Sequence, residues 1–421
     1  MLHIPPCREC IRWTMLKYRL RHIRSQKVWI FTALILPILA ILYTFVVHFH
    51  RDDNYGATIE IAMGVDNNES TTADPDKTIH SSPTYSIAHL GNSIQYYNDC
   101  PRVLEKMLLS TTLGRVTDLD NPERKSIVRS DSCLRGGSTL PSLWKDGNGM
   151  AKKFASRPES IIAGDDGFDI GTPTVFDLLK ASDTNLRYWD FIVVNDYTQS
   201  PARNERKQES KTALETHYLP AIADGMEASR NDGKGVNTTT TVVFLQTAAY
   251  KTPVKNSADL GSFDDFTKAL EEGYDEYVAL TEVFAAQRFP TGHPNTLKAT
   301  VAPLGRAYQI IRDEHHELWS KAMYANDGFH PSPHGTLLEA CILHCIVTGG
   351  QKFAFFEDQD DDSGMDDWWK QARYLQPLQD PNGDPQKPLR FPTRTEAVLL
   401  NDIAFRVYLE RQDKEGKHKK Q

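Results

Sequence analysis

The sequence predicts an α/β protein, a three-layer α/β/α sandwich built around a five-stranded parallel sheet. Three observations predict it. Short runs rich in β-branched and aromatic residues recur along residues 82–350, as in Trp189–Val194 (WDFIVV) and Thr241–Gln246 (TVVFLQ). Such runs suit strands buried on both faces. Longer stretches between them keep apolar residues at helical spacing, among them Phe263, Phe266, Leu270 and Tyr274. Strands that alternate with helices need right-handed crossovers, and these build a parallel sheet covered on both sides.

The elements follow in order. The first strand is expected at Tyr85–Leu90, ending at Gly91-Asn92-Ser93, and a weaker second one at Lys125–Arg129. Trp189–Val194 is the third, Thr241–Gln246 the fourth and Leu297–Pro303 (LKATVAP) the fifth. Helices are expected near 98–109, 174–182, 207–229, 262–287 and 305–322. The last helix of the domain falls near 334–348. It is apolar on most sides and is ended by Gly349-Gly350.

The chain of 421 residues holds one large domain with extensions, or two modest domains. The formal charge of −8 is unevenly spread. Residues 1–51 hold eight Lys/Arg and one Glu, or +7, so the remainder carries −15. An acidic body argues against a nucleic-acid partner. Val28–Val47 is a run of 20 residues without a charge. At about 1.5 Å per residue it matches a hydrocarbon core of about 30 Å. Pro37 is tolerable within such a span. Seven basic residues precede it: Arg8, Arg12, Lys17, Arg19, Arg21, Arg24 and Lys27. A cleaved signal peptide would have a shorter apolar core and a shorter basic leader.

The expected organisation is therefore a cytoplasmic basic tail (1–27), a transmembrane anchor (28–47) and a flexible polar stem (48–81). The globular domain (82–350) and a C-terminal extension (351–421) follow. By the positive-inside rule this is a single-pass type II topology, with the body in the lumen of the secretory pathway, the Golgi included, or outside the cell. Two N-glycosylation sequons, at Asn68 and Asn237, agree with it. Cys7 and Cys10 lie on the cytoplasmic side and lack partners for a zinc site. Cys100, Cys133, Cys341 and Cys345 allow three disulfide pairings, while Cys341 and Cys345 equally suit an apolar helix as buried thiols. The extension holds an acidic run (Glu357–Asp367), a Pro-rich stretch (Pro377–Pro392), an amphipathic helix near 394–411 and a basic tail.

The chemistry-bearing segment comes late, at Asp327-Gly328-Phe329-His330-Pro331-Ser332-Pro333. An Asp and a His on a loop fixed by prolines can face one point, the Asp setting the tautomer of a general-base His. The pattern is weak alone. A second copy, Asp313-Glu314-His315-His316, sits in a charged helical stretch and reads as a solvated face. Ser93 ends the first strand and precedes a helix, where parallel sheets place reactive groups. By itself it is an ordinary turn serine.

Together these segments resemble the SGNH (GDSL-like) hydrolases, in order and across about 82–350. The opening GNSIQYYND, Gly91–Asp99, is similar to the bacterial-type branch that begins GNS-x-x-Y-x-N-D. The resemblance implies a flavodoxin-like sandwich and a Ser-His-Asp triad of Ser93, His330 and Asp327. It also implies an oxyanion hole from the Ser93 amide, a glycine amide and the Asn195 side chain of VVND. Gly137 in RGGST is the glycine of choice and Gly136 the alternative. The sequence departs from the family in Asn92, where GDS is common, and in Val193, where a glycine is usual.

The implied activity is hydrolysis of carboxylic O-acyl esters through an acyl-enzyme without cofactor or metal. A lumenal body points to O-acyl, including O-acetyl, groups of carbohydrates or other small molecules. Two rival readings are O-acyl transfer to a glycan by the same triad and a silent glycan-binding relative. Other features read blandly. His330 and His334 have zinc-like spacing, but Pro331 and Pro333 forbid the helix it needs. His344 reads as a core residue. Asp358, Asp360 and Asp362 start a calcium-like loop that has Ser363 where glycine is required. Trp368 and Trp369 read as core packing.

Overall fold

The computed structural model describes residues 85–113, 128–150, 171–180, 188–230, 238–353 and 391–418. The anchor 28–47, the stem, Cys7, Cys10, Asn68, Asn237, the acidic run and Trp368–Trp369 lie outside the described residues. Among those described, no helix is long and apolar enough to cross a membrane.

Strand β1 is Tyr85–Gly91, followed by the short helix α1, Ser93–Tyr96, and by α2, Cys100–Leu113. Then come β2 (Val128–Leu134), α3 (Leu140–Asp146), α4 (Val175–Leu179) and β3 (Phe191–Val194). Helix α5 (Asn204–Ala213) runs through a π-helical turn, Leu214–Tyr218, into α6 (Leu219–Arg230). Strand β4 is Thr239–Leu245, α7 Phe263–Arg288 and β5 Thr296–Ala302. Helices α8 (Leu304–Glu314), α9 (His316–Ala322), α10 (Pro333–Val347) and α11 (Arg394–His418) complete the chain.

The five strands form one sheet in the order β2-β1-β3-β4-β5. Every pairing is parallel, and the order is the flavodoxin-like one. Side chains alternate across each strand. Ile87, Val193 and Val243 enter one layer with α2, α8, α10 and α11. Ala88, Leu90, Ile192, Val194, Val242 and Phe244 enter the other with α3, α4, α6 and α7. The molecule is thus an α/β/α sandwich, as predicted. The chain steps one way from β1 to β2, then crosses back past β1 to β3 and continues the other way to β4 and β5. The crevice at that reversal lies beyond Gly91 and Val194, where α/β sheets bind ligands.

Two boundaries differ from the sequence reading. Strand β2 sits C-terminal to the expected Lys125–Arg129 because it is an edge strand. Its centre (Arg129, Ser130, Asp131) is polar and half-exposed, and its buried apolar residues, Val128, Cys133 and Leu134, stand at its two ends. The expected helix at 305–322 breaks at His315, whose backbone (φ −135°, ψ 54°) is not helical. Within the C-terminal extension, Ala397, Leu400, Ile403, Ala404 and Val407 of α11 join the same core as α10.

Candidate active site

The turn after β1 is built from polar side chains that leave no room for variation. A Cβ at Gly91 would fall 1.8 Å from Asn195 Oδ1, so that position takes only glycine. Asn92 caps α1: its Oδ1 accepts from the Ile94 amide at 3.2 Å. The same oxygen accepts from Asn195 Nδ2 at 2.9 Å, while Asn92 Nδ2 donates to the Ser138 carbonyl at 3.0 Å. One side chain thus ties together the ends of β1 and β3 and the turn after β2. Gln95, fully buried, donates to the Leu90 carbonyl at 2.9 Å and to Asn195 Oδ1 at 2.8 Å. Its Oε1 meets His89 Nδ1 at 2.9 Å. Burial holds that imidazole down to about 4, so His89 stays neutral and serves as the donor. Ser93 stands first in α1 on this scaffold, half-buried and reachable from solvent.

The second part is the loop between α9 and α10. Its ends meet in a bridge between Tyr324 and Pro331, and Gly328 turns it with φ +74°. Asp327 Oδ1 accepts from the amides of Phe329 and His330, both at 3.0 Å. Its Oδ2 meets His330 Nδ1 at 2.6 Å. Burial alone would raise this carboxyl. The hydrogen bonds and charge of His330 and the two amides outweigh burial and hold it below the usual carboxylate range. An ionised Asp327 accepts the hydrogen bond of a protonated Nδ1 and leaves Nε2 as the basic nitrogen. Ser332 caps α10, accepting from the amides of His334 and Gly335.

The two parts converge. His330 Nε2 lies 2.8 Å from Ser93 Oγ across 237 residues of sequence. Two aromatic rings hold the imidazole: Tyr97 stacks on it at 4.1 Å with an interplanar angle of 1°, and Phe329 lies against it at 4.3 Å with a tilt of 42°. Asn98, fully buried, donates to the Pro331 carbonyl at 2.9 Å and to Thr336 Oγ1 at 2.8 Å. Sequence reasoning quoted Tyr97 and Asn98 within GNSIQYYND and gave them no role.

The expected oxyanion residues are placed less uniformly. Gly137 (φ +67°) and Gly136 form an exposed turn closed by the Ser138 amide on the Arg135 carbonyl at 3.3 Å. No hydrogen bond among the described residues occupies the Ser93 or Gly137 amide. Asn195 is otherwise. It is 1% exposed, and its Nδ2 donates to Asn92 Oδ1 and, at 3.2 Å, to the Asp196 carbonyl. Both amide hydrogens are committed to the turn. Its neighbour Asp196 accepts from the amides of Leu140 at 3.1 Å and Tyr197 at 2.7 Å and from Tyr277 Oη at 3.0 Å. It thereby pins α3 and α7 beside the site.

The remaining readings resolve simply. His334 is buried and meets Glu396 of α11 at 3.2 Å. His344 is a core residue on Thr111 Oγ1 at 3.0 Å. Asp313 pairs with Arg312, away from the triad residues. Cys100, Cys133, Cys341 and Cys345 are free buried thiols. No metal-competent cluster occurs among the described residues.

No known family model matches the chain, and no curated protein does. Three solved structures are similar in outline. A DUF4886 family protein from Bacteroides uniformis superposes with a TM-score of 0.38 at 14% identity, covering 74% of this chain and 99% of its own. A gut microbial diltiazem-metabolizing enzyme gives 0.32 at 16%, covering 64% of this chain and 48% of its own. A mutant acetyl-xylooligosaccharide esterase from Geobacillus Stearmophilus gives 0.27 at 13%, covering 64% and 97%. At these scores the reading of the site rests on this chain's own geometry.

Proposed function

We propose that this chain is a serine hydrolase that cleaves carboxylic O-acyl esters through an acyl-enzyme. One observation carries the reading. A serine oxygen, the two nitrogens of one imidazole and a carboxylate are linked in series, at 2.8 and 2.6 Å. Each distance is within the reach that proton transfer requires.

In the proposed reaction Ser93 Oγ attacks the ester carbonyl as its proton passes to His330 Nε2. Asp327 balances the imidazolium through Nδ1 and holds the ring's orientation. The amides of Ser93 and Gly137 face the charge that develops on the carbonyl oxygen. Asn195 acts by fixing Asn92 and so the nucleophile turn. His330 returns its proton to the departing alcohol, and water repeats the sequence on the acyl-enzyme. The arrangement resembles the SGNH hydrolases. The proposed substrates are O-acylated carbohydrates, a class that follows from the type II topology read in residues 1–47 and from the two sequons.

The test is turnover of 4-nitrophenyl acetate together with labelling by a fluorophosphonate probe. Wild type is expected to do both. Ser93→Ala is expected to lose labelling and at least about 10³-fold in kcat while unfolding at the same temperature. A folded wild type that neither labels nor turns over any ester in a panel of aryl and sugar acetates refutes the reading.

A further inference from the structure

The proposed oxyanion hole has two amides, and the side chain expected to supply the third donor is committed elsewhere. The turn that holds the nucleophile offers another. Tyr96 lies three residues after Ser93, on the same face of α1, and the Ser93 side chain partly opposes the effect of burial on its hydroxyl. On its other side the hydroxyl abuts the turn after β2. A Cβ placed on Gly136 would fall 2.7 Å from Tyr96 Oη. The hydroxyl therefore stands between the attacking oxygen and the Gly136–Gly137 turn, at the border of the same hole. The ring is 6% exposed, which fixes its position. Burial pushes the phenol up to about 12, so it stays protonated wherever an imidazole base works.

We propose that Tyr96 is a catalytic residue whose Oη–H is the third donor to the oxyanion formed when Ser93 attacks. This rests on the acyl-enzyme reading. In the resting site the phenol stands beside the Gly136–Gly137 turn. On attack the bond from Oγ to the carbonyl carbon forms, and the serine proton moves to His330 Nε2. The carbonyl π pair moves onto its oxygen. The phenol O–H is then directed at the oxyanion beside the amides of Ser93 and Gly137, an acceptor far stronger than the ground-state carbonyl oxygen. On collapse the bond to the alcohol oxygen breaks and the alcohol leaves with the His330 proton. The phenol keeps its own proton throughout. The interaction thus strengthens in the transition state, which is the condition for raising kcat.

The test uses the full chain, 4-nitrophenyl acetate as substrate and a trifluoromethyl ketone as transition-state analogue. Tyr96→Phe is expected to lower kcat by about 10²-fold and to leave KM nearly unchanged. It is expected to weaken the analogue in proportion to the loss in kcat/KM. A merely structural tyrosine would not couple analogue affinity to turnover in this way. Gly136→Ala supplies a second variant if Tyr96→Phe fails to fold. Its methyl would fall 2.7 Å from Tyr96 Oη, so the tyrosine side chain must shift away from the hole with the rest of the turn intact, and the same loss is expected. Wild-type kcat in either folded variant overturns the role of Tyr96 and leaves the Ser93 reading standing. Absence of Ser93-dependent turnover and labelling in wild type overturns both.

Discussion

Asn92 makes hydrogen bonds of three kinds from one side chain and its own amide. Oδ1 accepts from the Ile94 amide and Asn195 Nδ2, Nδ2 donates to the Ser138 carbonyl, and the backbone N–H donates to Asn195 Oδ1 at 3.3 Å. An aspartate would keep the acceptor side. On the other side it would set a carboxylate oxygen against the Ser138 carbonyl, two acceptors with no proton between them. Asn92→Asp is therefore expected to cost about 1–3 kcal/mol of stability at pH 7, the range for a buried group left without its partner. It should also lower kcat, because Ser93 follows directly on the cap. Burial and the facing carbonyl raise the pKa of the introduced acid. The loss should shrink as pH falls and the acid regains a donor proton. Urea unfolding at two pH values checks this; a variant as stable as wild type at pH 7 contradicts it.

The junction of α1 and α2 joins the nucleophile to its base. Asp99 there has φ +55°, the one positive φ at a described residue other than glycine. That kink turns Tyr97 onto the imidazole face and Asn98 under the base loop. Removing the Asn98 amide strands the Pro331 carbonyl and Thr336 Oγ1 without that donor. Asn98→Ala should cost about 1–3 kcal/mol and lower kcat more than it raises KM, since it loosens His330 and touches no substrate. Thermal unfolding read beside turnover decides this; unchanged kcat would show that the loop needs no tether. The same junction shows what the sequence revealed. The triad was legible because its residue types and their positions at strand and helix ends are set by local chemistry. Tyr97 and Asn98 were visible as letters of the motif, but their work depends on a kink that no composition announces. The commitment of Asn195 follows from the close approach of Gly91, a meeting of two strand ends 104 residues apart. Helix α3 was overlooked although Thr139 and Ser142 form a capping box with Pro141 inside it. Only seven residues long, it offers little periodicity to read.

At the scale of the molecule, α11 closes the layer behind the site. Its ion pairs, Arg406–Glu314 and Lys414–Glu271 among them, are half-exposed and contribute about 0–1 kcal/mol each. The stripe from Ala397 to Val407 holds it instead, at about 1.5–3 kcal/mol for a buried leucine such as Leu400. Beneath it, α10 carries Glu339, fully buried on the core face. Burial pushes this carboxyl up to about 8 against the opposing hydrogen bond of the Cys100 thiol. A folded carboxyl at about 8 keeps a proton that the unfolded chain releases near 4.5. Stability should therefore fall as pH rises between those values and level off above about 8. His89 and His344, held down to about 4, act with the opposite sign. They stay neutral when folded but charge near 6.5 when unfolded, so they lower stability as pH falls below about 6.5. Between about 6.5 and 8 the Glu339 effect is unopposed by these two, and the expected slope is up to about 1.4 kcal/mol per pH unit. Glu339→Gln has no proton to lose, so it should flatten the slope in that window and gain most over wild type at pH 8. Urea unfolding of both proteins at pH 6.5 and 8 measures it. Equal slopes in the two proteins would mean that Glu339 ionises in the folded core as readily as in the open chain, and that water or a cation reaches it there.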